Sequence, residues 1–313
     1  MLEVKNLQVG FNEVGKIKWV VKNSSFSVSA GEILGIVGES GSGKSMTALA
    51  IMGLCPVDAI VQGQLNFQNR KMNFAQRDAW QELRGVEMGM VFQDPTSSLN
   101  PLYPVGQTVA EALVFHKKMP LEEAKKETEK LFTSLGILPA AVRARQYPHQ
   151  LSGGLKQRVM LAAAICCKPK LLIADEPTTA LDVTVQAQIL NLLTSYAKGE
   201  NSALLLISHD LGVIAQTADR VLVMCKGVIV EEAPVLELFK KPLHPYTQLL
   251  INSLPRLDRA VQLKTEKSEI VINGSACLFA GRCRYCRQIC LQVEPKIKAI
   301  SEKRRVCCHF PLF

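Results

Sequence analysis

Two short stretches of this chain place phosphate-binding groups and water-activating groups at the ends of apolar runs. The first is Gly38, Glu39, Ser40, Gly41, Ser42, Gly43, Lys44 and Ser45, which fits G-x-x-x-x-G-K-S and leads into Met46. It follows the apolar run ILGIV and precedes the helix-compatible MTALAIMGL. Strand, glycine-rich turn and helix is the context that makes this pattern a phosphate site. Gly38, Gly41 and Gly43 let the backbone curl until successive N–H groups point at phosphate oxygens. The helix beginning near Lys44 adds its positive dipole end. Lys44 can reach β- and γ-phosphates, and the Ser45 hydroxyl can ligate Mg²⁺. A plain Gly/Ser surface turn explains the glycines but not the flanking elements.

The second stretch, LLIADE at 171–176, reads as a buried strand with two carboxylates at its carboxyl end. Ligands of open α/β sheets bind at that edge. Asp175 is suited to hold Mg²⁺ through water, and Glu176 to orient and deprotonate an attacking water. The competing reading is a helix cap at a strand-to-helix turn. A third apolar run, ALLLIS at 203–208, ends in His209-Asp210. It puts His209 at the same kind of edge, where it can donate to a γ-phosphate; otherwise the residue is a cap or a core histidine.

These residues need a scaffold, and its coarse layout is visible. Residues 1–37 are strand-rich, and an α/β core begins with the phosphate loop. The pattern turns helical from about Thr96 to Ala164, in VAEALVF and LEEAKKETEKLFTSLG. Strands and helices then alternate to about Glu232. The 313 residues are 48% hydrophobic, enough for a sizeable core without disulfides. No apolar run approaches the length of about 18 residues needed to span a bilayer. The start, MLEVKNLQV, has no signal-peptide character, so the expected compartment is the cytoplasm. From Pro255 onward, Lys and Arg outnumber Asp and Glu by 12 to 5, whereas ahead of it the balance is 25 to 23. The net charge of +9 therefore belongs mostly to the tail. Six of ten cysteines crowd the same tail, from Cys277 to Cys308. In a reducing compartment that density argues for metal binding over disulfides.

Residues 151–158, LSGGLKQR, resemble the signature motif of ABC ATPases. Ser152, Gly153 and Gly154 open a helix and present a second anion site built from N–H groups. The resemblance implies a P-loop ABC ATPase fold of the α/β class. Its parts are a parallel-sheet core, an antiparallel β subdomain and an inserted helical subdomain, here with a C-terminal Cys-rich extension. It also implies a head-to-tail dimer in which each ATP lies between one phosphate loop and the partner's signature. Gln93, in VFQDP, looks like the glutamine that contacts Mg²⁺ and the nucleophilic water. Ala180-Leu181-Asp182 resembles the loop that crosses the dimer interface. Phe11 aligns with the aromatic that stacks on adenine, with Trp19 as the alternative. Leu155 departs from the methionine of many relatives, an apolar exchange of little consequence.

QDPTSSLNP at 93–101, DEPTTALDVTVQAQIL at 175–190 and HPYTQLL at 244–250 look like the oligopeptide/dipeptide/nickel importer branch. That implies an ATP-hydrolysing subunit at the cytoplasmic face of the membrane. Its partners would be a second, related ATPase subunit, two transmembrane permease subunits and an extracytoplasmic substrate-binding protein, with no nucleic acid. The expected ATPase domain spans residues 1–254, with a helical subdomain at about 96–164, and the extension spans 255–313. Cys277, Cys283, Cys290 and Cys308 resemble a motif that in some members holds a four-iron, four-sulfur cluster. Arg282, Arg284 and Arg287 would offset its charge. Zinc, or no metal at all, are the other readings of the tail. The rival function is a soluble ABC ATPase acting on nucleic acid or ribosomes, but the tail lacks basic–aromatic alternation, Tyr285 and Phe310 being isolated. A degenerate, non-catalytic partner fits poorly with intact Lys44, Asp175, Glu176 and His209.

Overall fold

The computed structural model describes residues 1–76, 78–179, 181–254 and 276–313. In chain order the elements are β1 (Leu2–Glu13), β2 (Lys16–Val28), β3 (Ile33–Val37), α1 (Lys44–Ile51), β4 (Ile60–Phe67), β5 (Arg70–Met72), α2 (Asp78–Gln81) and β6 (Met88–Val91). Five helices follow: α3 (Pro95–Ser98), α4 (Val105–Lys117), α5 (Leu121–Ser134), α6 (Ala140–Ala144) and α7 (Gly153–Ile165). Then come β7 (Leu171–Asp175), α8 (Val183–Gly199), β8 (Ala203–Ser208), α9 (Leu211–Thr217), β9 (Arg220–Cys225), β10 (Val228–Pro234), α10 (Val235–Lys240) and α11 (Pro245–Asn252). The tail adds α12 (Gln288–Gln292), β11 (Lys298–Ser301) and β12 (Arg304–Val306). Among the described residues no helix is long and apolar enough to cross a membrane.

Two compact units divide the chain. One comprises Met1–Leu2, Val28–Ile33 and Asn66–Ile207; the other comprises Glu3–Ser27, Leu34–Leu65 and Ser208–Phe313. In the first unit, β6, β7 and β8 run parallel, in registers such as Met90↔Ile173 and Ile173↔Leu205. Every residue of β6 and β7 is buried, the continuous apolar pattern of a strand covered on both faces. The regular elements between β6 and β7 are the helices α3 to α7. The highly charged α5 buries only Ala124, Thr128 and Phe132, spaced four apart on one face, against α4.

In the second unit, β3 runs parallel to β9, with Ile36 opposite Leu222, and β10 turns back antiparallel to β9. Tail strand β12 pairs antiparallel with β10, Glu231 opposite Val306, and β11 pairs with β12. The tail is therefore part of the sheet. Neighbouring carboxylates on β10 fix it there. Glu231, fully buried, accepts from the backbone N–H groups of Leu243 (2.9 Å) and His244 (2.8 Å) and pairs with Arg304 at 3.3 Å. Glu232 is gripped by Arg305 and Arg220.

Candidate functional site

The second unit carries the phosphate loop. Gly41 (φ 75°) and Gly43 (φ 100°) occupy the left-handed region that side chains disfavour. A Cβ on Gly43 would lie 2.9 Å from the carbonyl oxygen of Val20, because β2 passes directly over the loop. Lys44, 4% exposed, folds its ammonium back onto the carbonyl oxygens of Gly38 (2.8 Å) and Glu39 (3.0 Å). Ser45 and Met46 follow, half-buried, in the first turn of α1. Glu39 is engaged at every polar group. Its N–H donates to Tyr246 Oη at 2.9 Å, its carbonyl accepts from Lys44, and both carboxylate oxygens accept from Arg282 at 2.8 Å. The Arg282 hydrogen bonds hold the Glu39 carboxyl below the usual carboxylate range. Ser42 is buried and Ser40 exposed.

Phe11 and Trp19 are each half-buried on neighbouring strands β1 and β2. Trp19 covers Gly10, whose added Cβ would lie 2.8 Å from the indole. With Asn6 and Gln8 it lines a cavity of about 970 Å³ walled by tail residues Gln292 to Ile297. Alternation along β1 turns Phe11 away from Gly10 and hence from the indole. His209 is exposed, and Asp210 behind it caps α9 by accepting from the N–H of Gly212 at 2.7 Å.

The first unit carries the acid pair. Asp175, 6% exposed, ends β7. Glu176 has φ 46°, an unusual value for a residue with a Cβ, and its N–H donates to the carbonyl of Ile207 at 2.9 Å. Gln93 Nε2 and Thr179 Oγ1 both donate to Glu176 Oε2, each at 3.1 Å. Ser152 caps α7 by accepting from the N–H of Leu155 at 3.4 Å, and Gly153 and Gly154 form its first turn. A Cβ on Gly154 would come within 2.8 Å of Val185 on α8. Asp182 caps α8 through Val185 N–H at 2.9 Å. Ala180, of the expected interface loop, lies outside the described residues.

The start of the tail, residues 255–275, also lies outside the described residues. Further on, Cys277, Cys283, Cys290 and Cys308 line one narrow cavity with His244, Phe279 and Phe310. Cys286 and Cys307 do not line it. Its volume is about 20 Å³, room for roughly one water. Burial pushes the thiols of Cys277 and Cys283 up to about 11, and that of Cys308 upward as well. Among the described residues no group of three or more His, Cys, Asp or Glu is gathered tightly enough for one metal ion. The three arginines expected to offset a cluster have other partners. Arg282 binds Glu39, Arg284 lies 4.8 Å over Tyr285, and Arg287 lies 4.1 Å over Phe310.

Sequence reasoning missed Tyr246, Glu231 and Glu232, and it named Arg282 without its partner Glu39. The one local signal was HPYTQLL, where His244 caps α11 through its Nδ1 and Pro245 takes the first helical position.

A family model described as ABC transporter matches residues 21–179. A second, described as oligopeptide/dipeptide transporter, C-terminal region, matches residues 230–290. The chain is 46% identical to the dipeptide transport ATP-binding protein DppD of Haemophilus influenzae, over 100% of this chain and 96% of that one. It is 41% identical to the oligopeptide transport ATP-binding protein AppD of Bacillus subtilis, over 98% of this chain and 96% of the relative. A solved dimer of the ATP-binding cassette MJ0796, in a post-hydrolysis state bound to ADP and Pi, superposes with a TM-score of 0.68 at 28% identity. It covers 75% of this chain and 99% of that one.

Proposed function

The chain belongs to the ABC transporter family, and from that premise we propose how its residues divide the work of ATP-driven uptake. It is an ATP-binding subunit of the peptide-importing branch, an ATPase coupled to transport. The observation that carries the residue assignments is the phosphate loop: strand, glycine cradle and helix, with buried Lys44 held on the carbonyls of Gly38 and Glu39.

Water attacks the γ-phosphorus of ATP. The new P–O bond forms as the bond to the bridging oxygen breaks, and ADP and phosphate leave with the water's proton. The loop amides of residues 38–45 cradle the phosphates, and Lys44 exchanges its carbonyl partners for β- and γ-oxygens. Glu176 polarises the water, Gln93 orients it, and His209 donates to the γ-phosphate. Phe11 stacks on adenine, since Trp19 is engaged over Gly10. The oxygen donors Ser45, Gln93 and Asp175 suit a hard cation and would hold Mg²⁺, which would supply charge neutralisation at the phosphates. Ser152, Gly153 and Gly154 of the partner subunit complete the ATP sandwich, and Asp182 meets that partner.

We place the ATPase domain at 1–254, its helical part at about 96–164, and the extension at 255–313. The partner ATPase is a related chain, and the pair docks on two permease subunits at the cytoplasmic face. A binding protein delivers peptide from the other side. Co-expression with such membrane subunits and measurement of ATP-dependent dipeptide uptake tests this reading. Uptake that persists without this chain would overturn it.

The four thiols sharing one cavity support a second assignment, that Cys277, Cys283, Cys290 and Cys308 hold a four-iron, four-sulfur cluster. Four thiolates are the donor set such a cluster takes, while the cavity between them holds about 20 Å³. Protein purified without oxygen should absorb broadly near about 400 nm and contain about four irons and four sulfides. Metal-free, active protein would leave the tail as a docking extension only.

A further inference from the structure

We infer that Arg282, from the Cys-rich tail, is a positioning residue for nucleotide. It is the counter-charge that keeps the Glu39 carboxylate from repelling the triphosphate. This rests on the reading of residues 38–45 as the ATP site.

Glu39 is the second residue of the phosphate loop, and its carboxylate is near enough to Lys44, and to Lys226, to feel their charge, though Arg282 is the strongest influence on it. Lys44, which neutralises the phosphates, is bonded to the carbonyl of this same residue at 3.0 Å. A carboxylate here is a liability, because it adds negative charge beside a ligand carrying several negative charges of its own. The fold cancels it with a cation 243 positions away in sequence, through two parallel N–H···O bonds of 2.8 Å. Such a fork needs a planar guanidinium, and a lysine cannot reproduce it.

The pair is also aimed. Arg282 is the more enclosed partner, its side chain 17% exposed against 42% for Glu39. Its guanidinium lies 5.8 Å over the ring of Phe279. Phe279 packs edge-on against Tyr246, and the Tyr246 hydroxyl accepts from the N–H of Glu39. The tail thus holds the loop residue by its backbone and by its side chain. Cys283, which follows Arg282, lines the thiol cavity together with Phe279. Chemistry at that cavity is therefore one residue removed from the charge balance of the phosphate loop.

The test uses the full-length chain, with equilibrium binding of a fluorescent ATP analogue and ATPase kinetics in complex with its transport partners. Arg282→Gln is expected to weaken ATP binding and raise KM by about ten-fold, with kcat little changed. Adding Glu39→Gln to Arg282→Gln removes the unmasked charge and should recover most of the lost affinity. A purely structural pair would also recover in part once both charges are gone, so ligand charge separates the two. The affinity lost by Arg282→Gln should be larger for ATP than for AMP, whereas a structural pair predicts the same loss for both. Arg282→Lys should fall between the wild type and Arg282→Gln. Unchanged affinity in Arg282→Gln, an equal loss for ATP and AMP, or a double variant no tighter than the single, overturns the inference. A wild-type chain that does not bind the analogue overturns the ATP-site reading and the inference with it.

Discussion

Gln93 donates a hydrogen bond to Glu176, Nε2 to Oε2, at 3.1 Å. Thr179 donates to the same oxygen at the same distance, so one carboxylate oxygen is held from two sides. Glu176 is further constrained by a left-handed backbone at φ 46°. Non-glycine residues in that region cost about 1–3 kcal/mol and cluster where function over-determines them.

Glu176→Gln keeps the shape and removes the basic oxygen. ATP binding is expected to persist while turnover falls by about 10²–10⁴-fold, the contribution typical of a positioned general base. The comparison is ATPase rate against nucleotide affinity, measured with the transport partners present. Undiminished turnover would remove Glu176 from the role of base.

Gly43→Ala asks whether the loop tolerates a side chain. Its φ of 100° disfavours any Cβ, and the added atom would sit 2.9 Å from the Val20 oxygen. The loop must then shift away from β2, and nucleotide affinity should drop more than ten-fold, roughly the effect of about 1.4 kcal/mol. Equilibrium binding of ATP reads this directly, and unchanged affinity would mean that the loop gives way without cost.

Glu231→Ala removes an acceptor of two backbone N–H groups and one of the partners of Arg304, whose side chain is 9% exposed. Arg304 keeps Glu237 at 3.5 Å and the Lys241 carbonyl, so the cost is chiefly that of buried N–H groups left without an acceptor, about 1–3 kcal/mol. Denaturant unfolding should show a loss of that order. A loss below about 1 kcal/mol would mean that water reaches the site.

His244 gives stability a pH dependence with a definite sign. Burial lowers its pKa from 6.5 to about 4, and its Nδ1 accepts from the N–H of Tyr246, which requires the neutral ring. The unfolded chain therefore binds the proton first as pH falls. The contribution is complete above pH 6.5 and is lost between 6.5 and about 4, reaching about 3 kcal/mol. His244→Asn, which can still cap α11 but does not titrate, should flatten that part of the pH–stability curve. An identical slope in both proteins would show that other groups set it.

The legible parts of this molecule were those whose chemistry lies within a few residues along the chain. Gly38 to Ser45, LLIADE and LSGG each pair a secondary-structure boundary with the residues that work there, so spacing alone exposes them. The helical stretch between Gln93 and Asp175 was visible from periodicity. The links between Arg282 and Glu39, and between Arg304 and Glu231, were not. They join ordinary tail arginines to ordinary glutamates 243 and 73 positions away, and local propensity carries no signal of such distances. The same limit hid the rings over which Arg284 and Arg287 lie, Tyr285 and Phe310, which line the thiol cavity.

The adjacent carboxylates of β10 also bear on how the protein is made. Glu231 and Glu232 leave the ribosome well before Arg304 and Arg305, their tail partners, although Glu232 also has Arg220, made earlier. A product cut short before β12 would leave Glu231 without Arg304 and β10 without the strand that pairs with it there. It would be poorly packed and an easy target for proteases. The pairing of the last strand with β10 thus works as a completeness check, in which the late-made segment licenses the stability of what was made earlier.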